Sequence, residues 1–157
     1  MAEYSDLGAF ILARLRSSAA VPALVVGGAA RILDGGELTG ATLAAAEKER
    51  QASKTAQVLA LVVMDTGEAG SVGNKTATAS VFIYDRQRAY ANIRAVREAV
   101  IAAVVNQGVP LVRGALVVQV DYAGRSGFVQ FEDFDLDFER VDFAGPLTYD
   151  ASGDSYA

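Results

Sequence analysis

Four acidic side chains near the end of the chain are spaced in a way that could bind a cation. Asp133, Asp135, Asp137 and Glu139 occupy every second position, so on a β-strand they project from one face at intervals of about 7 Å. Carboxylates suit Ca²⁺ and Mg²⁺, but a Ca²⁺ site also needs a loop with a tight glycine turn, which this acidic row lacks. We therefore expect an acidic surface that faces solvent or another subunit, and no bound metal.

A group of basic side chains in the middle of the chain could complement the acidic row. The four arginines of this group are Arg86, Arg88, Arg94 and Arg97. Residues 132–157 contain eight acids and a single base, Arg140. Opposite charges on one chain favour a head-to-tail contact between copies, which closes into a ring when the rotation permits. The sequence thus predicts a subunit interface between the arginines and the acidic row, and two separately solvated faces are the alternative.

The chain offers few side chains for catalysis. It has no Cys and no His, which removes thiolate nucleophiles, the commonest general base near neutral pH and the usual zinc ligands. The glycine-rich stretch from Gly67 to Thr76 has the wrong spacing for a phosphate-binding loop. The stretch Gly124–Gly127 is followed by Phe128 where a nucleophile elbow needs glycine. We expect no enzymatic activity, no catalytic residue and no cofactor.

Charge and hydropathy narrow the possible partners. The formal net charge is −5, which argues against general binding to nucleic acid, because that binding depends on clustered Lys and Arg. The longest apolar runs, such as Val58–Met64, are far shorter than the ~20 residues that cross a bilayer. No export signal is visible at the N-terminus. We expect a protein that stays in the cytoplasm where it is made and has no membrane partner.

Hydrophobic periodicity predicts two helices. The first runs from about Asp6 to Arg16, with Ser5 as its N-cap. The second runs from Arg86 to Gln107, and its apolar residues recur at intervals of three and four along one face. Arg94 and Arg97 lie off this apolar seam in the prediction.

Apolar runs bounded by turn residues predict the strands. The runs are Val58–Met64, Thr76–Tyr84 and Leu116–Val120. A turn at 123–127 joins Leu116–Val120 in a hairpin to a final strand, which carries the apolar residues from Val129 to Phe138. The predicted fold class is therefore α+β: a small, mostly antiparallel sheet packed against an N-terminal helix and one long amphipathic helix.

The chain is the size of a single domain, which we place at residues 1–143. Residues 42–54 are rich in alanine and charge but have few large apolar side chains, which indicates an inserted helix or an arm. Residues 65–75 read as a flexible hairpin loop, and residues 144–157 as a polar C-terminal tail.

The chain resembles the tail terminator (tail completion) proteins of long-tailed bacteriophages. The resemblance lies in the predicted order of helix, strands, hairpin, amphipathic helix and hairpin, and in the passage from the strand Ser80–Asp85 into the helix at Tyr90–Arg97. The resemblance covers roughly Asp6 to Phe143. It implies a tail-terminator-like α+β subunit that forms a six-membered ring on the tail tube, stops tube growth and joins the tube to the head connector.

The resemblance also implies the surroundings of the protein. Its partners would be further copies of itself, the tail tube protein and a head-connector or neck protein, with no cofactor. DNA would pass through an acidic lumen without specific binding. The protein would lie in the virion tail or neck, and in the host cytoplasm during assembly. Another neck or tail-tube component is the nearest alternative, and a small-ligand-binding or regulatory bacterial domain is the alternative from a different class.

Overall fold

The computed structural model describes residues 3–53, 57–71, 74–131 and 136–149, which form three α-helices and seven strands. The helices of these residues are α1 (Leu7–Ser17), α2 (Gly40–Ser53) and α3 (Tyr90–Val104). Their strands are β1 (Ile32–Asp34), β2 (Ala60–Ser71), β3 (Asn74–Arg86), β4 (Val109–Pro110), β5 (Leu116–Val117), β6 (Asp121–Phe131) and β7 (Leu136–Thr148).

The seven described strands belong to one sheet. Its order is β1-β2-β3-β7-β5-β4, and β6 pairs with β7 on the same side as β5. β1 runs parallel to β2, whereas the other pairs are antiparallel. The sheet is therefore mixed, and it curls into a half-barrel. The predicted fold class, a small sheet packed against helices with one long helix, is wrong.

The length of the β2–β3 hairpin is one reason for this difference. Residues 65–75 read as a flexible loop because they are polar and rich in glycine, yet the described part of this segment continues both strands. Ser71 pairs with Asn74, and Gly67 pairs with Thr78. Backbone hydrogen bonds are sufficient to form such a ladder without buried side chains. A bulge lies between Asp65 and Gly67, and Gly67 has a φ of 88°, which glycine adopts without steric cost.

The last strands also differ from the prediction. The expected turn at residues 123–127 is instead the middle of β6, where two bulges interrupt the pairing with β7. Gly124 and Gly127 have φ values of 129° and 74°, so these glycines form bulges and not a turn. β7 continues to Thr148, beyond the expected start of the tail at residue 144, because Ala144–Pro146 pair with β3. Residues 150–157 of the predicted tail lie outside the described residues.

Helices α1 and α3 cover one face of the sheet. The N-cap of α1 is Asp6 and not Ser5, since the Asp6 carboxylate accepts a hydrogen bond from the amide of Ala9 at 2.7 Å. α3 is shorter than predicted because the chain from 86 to 89 completes β3 and a turn, and Asn106, with a φ of 65°, follows its end. The main core lies between these helices and the sheet and includes Leu7, Ile11, Ile93, Val81 and Phe143.

Helix α2 lies on the other face of the sheet and occupies the segment that we expected to be an inserted helix or an arm. It buries only Leu43 and Ala46 of its apolar side chains, against Leu59, Val62 and Tyr84. A cluster of aromatic rings, Phe82, Tyr84, Phe131 and Phe138, continues this second core along the sheet. None of the described helices is both long enough and apolar enough to cross a bilayer.

Candidate assembly interface

Arg97 and Glu139 form an ion pair inside the chain. Glu139 on β7 is fully buried, and Arg97 lies on the buried face of α3. Nη1 of Arg97 donates to Oε1 of Glu139 at 2.8 Å, while Oε2 accepts from Nη1 of Arg125 on β6 at 3.2 Å. Arg97 was predicted to lie off the apolar seam, which is wrong because the buried carboxylate offers it a partner. The shared carboxylate fixes α3 to β6 and β7, and a role of Arg97 or Glu139 at a subunit contact stays a prediction.

Asp137 supports the turn between β3 and α3. Its side chain is buried, and Oδ2 accepts a hydrogen bond from the backbone amide of Arg88 at 2.9 Å. Arg88 has a φ of 66°, in the left-handed region that costs a non-glycine residue about 1–2 kcal/mol. The side chain of Arg88 is exposed. Asp137 therefore holds the backbone in the conformation that places Arg88 at the surface.

A second buried carboxylate, Asp85, lies at the end of β3. Its side chain contacts the guanidinium of Arg50 from α2, accepts from the amide of Arg86 at 2.7 Å and accepts from Asn92 at 3.3 Å. Burial raises the pKa of the Asp85 carboxyl, and these hydrogen bonds and the charge of Arg50 oppose that rise. Arg50 also donates to the carbonyl oxygen of Gln57 at 2.9 Å. The cluster joins α2 to the sheet and to the first turn of α3.

Two further ion pairs attach α2. Arg86 pairs with Glu47, and Arg31 donates two hydrogen bonds to Glu49, at 2.7 and 2.8 Å. Partial burial acts to raise the pKa of Glu47, but Arg86 and Arg50 outweigh it and lower the pKa. The hydrogen bond from Arg31 lowers the pKa of Glu49. Much of the attachment of α2 is therefore electrostatic.

Sequence reasoning did not find the residues of these clusters on α2. The run Glu47-Lys48-Glu49-Arg50 reads as an exposed charged face, although the spacing of Glu47 and Arg50 places them on one side of a helix. Nothing in the pattern around Asp85 distinguishes a buried carboxylate from a residue at a strand end.

The remaining predicted interface residues divide into two groups. Arg86, Arg88 and Arg94 are exposed, and Arg94 forms no ion pair with the described residues. Arg86 and Arg88 line a polar cleft of about 470 Å³ beside the start of α3. Asp133 and Asp135 lie outside the described residues. The structure thus brings three of the four predicted arginines to the surface at the β3–α3 junction.

A second cleft, of about 490 Å³, lies between α1 and the edge of β2. Asp65 lies at this cleft and accepts from the amides of Gly8 and Gly67, each at 3.0 Å. Burial raises the pKa of Asp65, and the hydrogen bond from Gly8 opposes the rise. Among the described residues, no three acidic side chains are grouped closely enough to hold a metal ion. The contacts of Asp65 instead attach the start of α1 to β2.

Comparison with known proteins finds the same fold in a chain of the virion of a native gene transfer agent (GTA) particle. The two chains are 18% identical, with a TM-score of 0.56, and the match covers 87% of this chain and 90% of the other. No protein-family model matches the sequence, and no curated protein matches it. The similarity shows a shared fold that extends over most of both chains.

Proposed function

We propose that this protein is a structural component of a phage-like virion, and specifically a tail terminator. The observation that carries the proposal is the fold shared with a gene transfer agent virion chain over 87% of this protein. The resemblance of the β3–α3 passage to tail terminators supports the narrower assignment. In this role six copies form a ring that caps the tail tube and joins it to the head connector, and DNA passes through the ring without specific binding.

The ion pairs inside the chain support a structural role for the protein. Most ionic contacts among the described residues join one element to another: Arg97 joins α3 to Glu139 on β7, and Arg50 joins α2 to Asp85 on β3. The sequence also has neither Cys nor His to activate a nucleophile. Assembly, by contrast, needs only exposed surfaces that complement those of a neighbour.

The ring is proposed to use the exposed arginines at the β3–α3 junction. Arg88 and Arg94 are exposed, whereas Arg86 is exposed but also pairs with Glu47. The opposite charge is proposed to come from the acidic residues of segment 132–157 other than Asp137 and Glu139, which are buried with internal partners. A head-to-tail contact between these surfaces generates a closed ring when the rotation between neighbours is a whole fraction of a turn.

The terminator role can be tested in the particle that encodes this chain. Disruption of the gene should give tail tubes of variable, excessive length that are not joined to heads, because nothing stops tube growth. Electron microscopy of the particles measures the tail length and the fraction of tails that are joined to heads. Joined particles with tails of normal length would refute the terminator role.

The ring can be tested with charge reversals on the purified protein. Arg94→Glu should prevent ring formation and leave the fold intact, because exposed substitutions usually change stability by less than about 0.5 kcal/mol. Lys48→Glu is the matched control, since Lys48 is an exposed cation on α2 that is not among the predicted interface arginines. Electron microscopy with classification by symmetry should show six-fold rings for the parent and the control. Equal ring formation by Arg94→Glu would remove the arginines from the interface.

A further inference from the structure

The half-barrel leaves two strand edges open. β6 pairs with β7 along one side, and among the described residues none of its backbone groups bonds to an element on its other side. β1 covers β2 only from Leu61 to Val63, so the edge of β2 from Met64 to Ser71 pairs with no described strand, although Asp65 contacts Gly8 at the start of α1. Open edges of this length present unpaired amide and carbonyl groups to a further strand.

The directions of the strands make these two edges complementary. β2, β3, β7 and β6 follow one another across the sheet, and each is antiparallel to the next. The outer two strands therefore run in opposite directions. When a second copy is related to the first by rotation about a ring axis, its β2 lies antiparallel to β6 of the first copy. Such a contact is head-to-tail and repeats from copy to copy.

The side chains at both edges favour pairing. Tyr122 and Val129 on β6 are 43% and 37% exposed, and Met64 on β2 is 42% exposed, so apolar surface is available at each edge. Neither β6 nor residues 64–71 contain Lys or Pro, the residues that commonly prevent edge-to-edge pairing.

We propose that β6 of one copy pairs with the β2 edge of the next copy, which continues the sheet from subunit to subunit. This inference rests on the proposed ring and names the surface that closes it. The partner is a second copy of this chain, and β1, which already pairs with Leu61–Val63 on the same side of β2, limits the receiving edge to residues 64–71.

Engineered cysteines provide a direct test because the chain has none of its own. One variant carries Tyr122→Cys or Val129→Cys on β6, and the other carries Met64→Cys or Glu68→Cys on β2. Residues opposite each other in an antiparallel ladder have Cα atoms about 4.5–5.5 Å apart, within disulfide range. Mixing one variant of each kind under mild oxidation should give a disulfide-linked dimer of the two variants in at least one of the four combinations. The control is a mixture of Glu68→Cys with Glu98→Cys, which lies on the exposed side of α3. This mixture should give no disulfide-linked dimer.

The outcomes separate this inference from the proposed function. Absence of the β6–β2 dimer in all four mixtures, or an equal yield with the control, overturns the inference even when rings form. A specific β6–β2 dimer together with normal tails after gene disruption supports the edge contact and refutes the terminator role. Val129→Lys gives a second measurement: it should abolish ring formation with an unchanged circular dichroism spectrum, because Val129 is exposed within the single chain. Intact rings from this variant would also overturn the inference.

Discussion

Removal of the Glu139 carboxylate should destabilise the fold far more than removal of a surface charge. Glu139 is fully buried and accepts hydrogen bonds from Arg97 and Arg125. Glu139→Gln keeps the size of the side chain but leaves Arg97 charged and 8% exposed. Breaking a buried pair in this way costs about 3–5 kcal/mol. We expect the lower end, about 3 kcal/mol, because Arg125 can turn to solvent and Arg97 retains Glu98 at 3.5 Å.

The measurement is the free energy of unfolding at neutral pH, from denaturant titrations followed by circular dichroism. A loss of about 3 kcal/mol corresponds to a decrease in Tm of roughly 6–12 °C for a domain of this size. Arg140→Gln is the matched control, since Arg140 lies next to Glu139 on β7 and pairs with Asp142 at the surface. The control should lose at most about 1 kcal/mol.

A double variant tests the cause of this loss. Arg97→Leu combined with Glu139→Leu removes both charges, and replacement of a buried pair by apolar residues is often neutral or stabilising. We therefore expect the double variant to be more stable than Glu139→Gln. A loss below about 1 kcal/mol for Glu139→Gln would match a surface pair and refute the reasoning.

Two further predictions concern α2 and the packing of β7. The hydrogen bond from Arg31 lowers the pKa of Glu49 below its ordinary 4.5, so this pair stabilises the fold above that pH and its contribution is lost as the pH falls through the lowered value. Glu49→Gln should therefore be less stable than the parent at neutral pH, and the difference should shrink as the pH is lowered below 4.5 and Glu49 takes up its proton; a difference that does not change with pH would contradict the ion pair. Gly145→Ala would place a methyl group against the side chain of Val117 and 2.6 Å from the carbonyl oxygen of Gln119, which should cost about 1–3 kcal/mol. Gly36→Ala, with no atom within 4 Å of the added carbon, should have little effect in the same unfolding experiment, and equal losses would show that packing is not the cause.

Local signals in the sequence identified the elements that bury apolar side chains. The period of Ile93, Val96 and Val100 places α3 correctly, and the apolar run Val58–Met64 marks the buried part of β2. The segments that were misread, the described part of residues 65–75 and β6, have mostly exposed side chains, so pairing of backbone groups determines their structure and hydropathy does not report it.

The residues of the candidate interface also divide into those with a local sequence signal and those whose position depends on distant partners. Arg94 is exposed, in agreement with its position off the apolar seam, whereas Arg97 is drawn inside by Glu139, which is distant in sequence. A carboxylate that is buried 42 residues away from its partner leaves no local pattern. Asp137 likewise reads as one member of an acidic row, although its bond to the amide of Arg88 holds a turn. Tertiary partners therefore decide which charges remain available to a neighbour.

The weak apolar contact of α2 has a consequence for how the molecule loses structure. The helix contributes Leu43 and Ala46 to the second core and depends otherwise on charges such as Glu49, which is exposed. Salt screens exposed charges strongly but leaves the core between α1, α3 and the sheet unaffected. Dissolved ions therefore weaken the exposed pairs of α2, such as Arg31–Glu49, whereas the buried Arg50–Asp85 pair and the sheet beneath the helix keep their contacts. The stability of the exposed contacts of α2 should therefore depend on ionic strength, whereas the packing of α1 and α3 on the sheet should not.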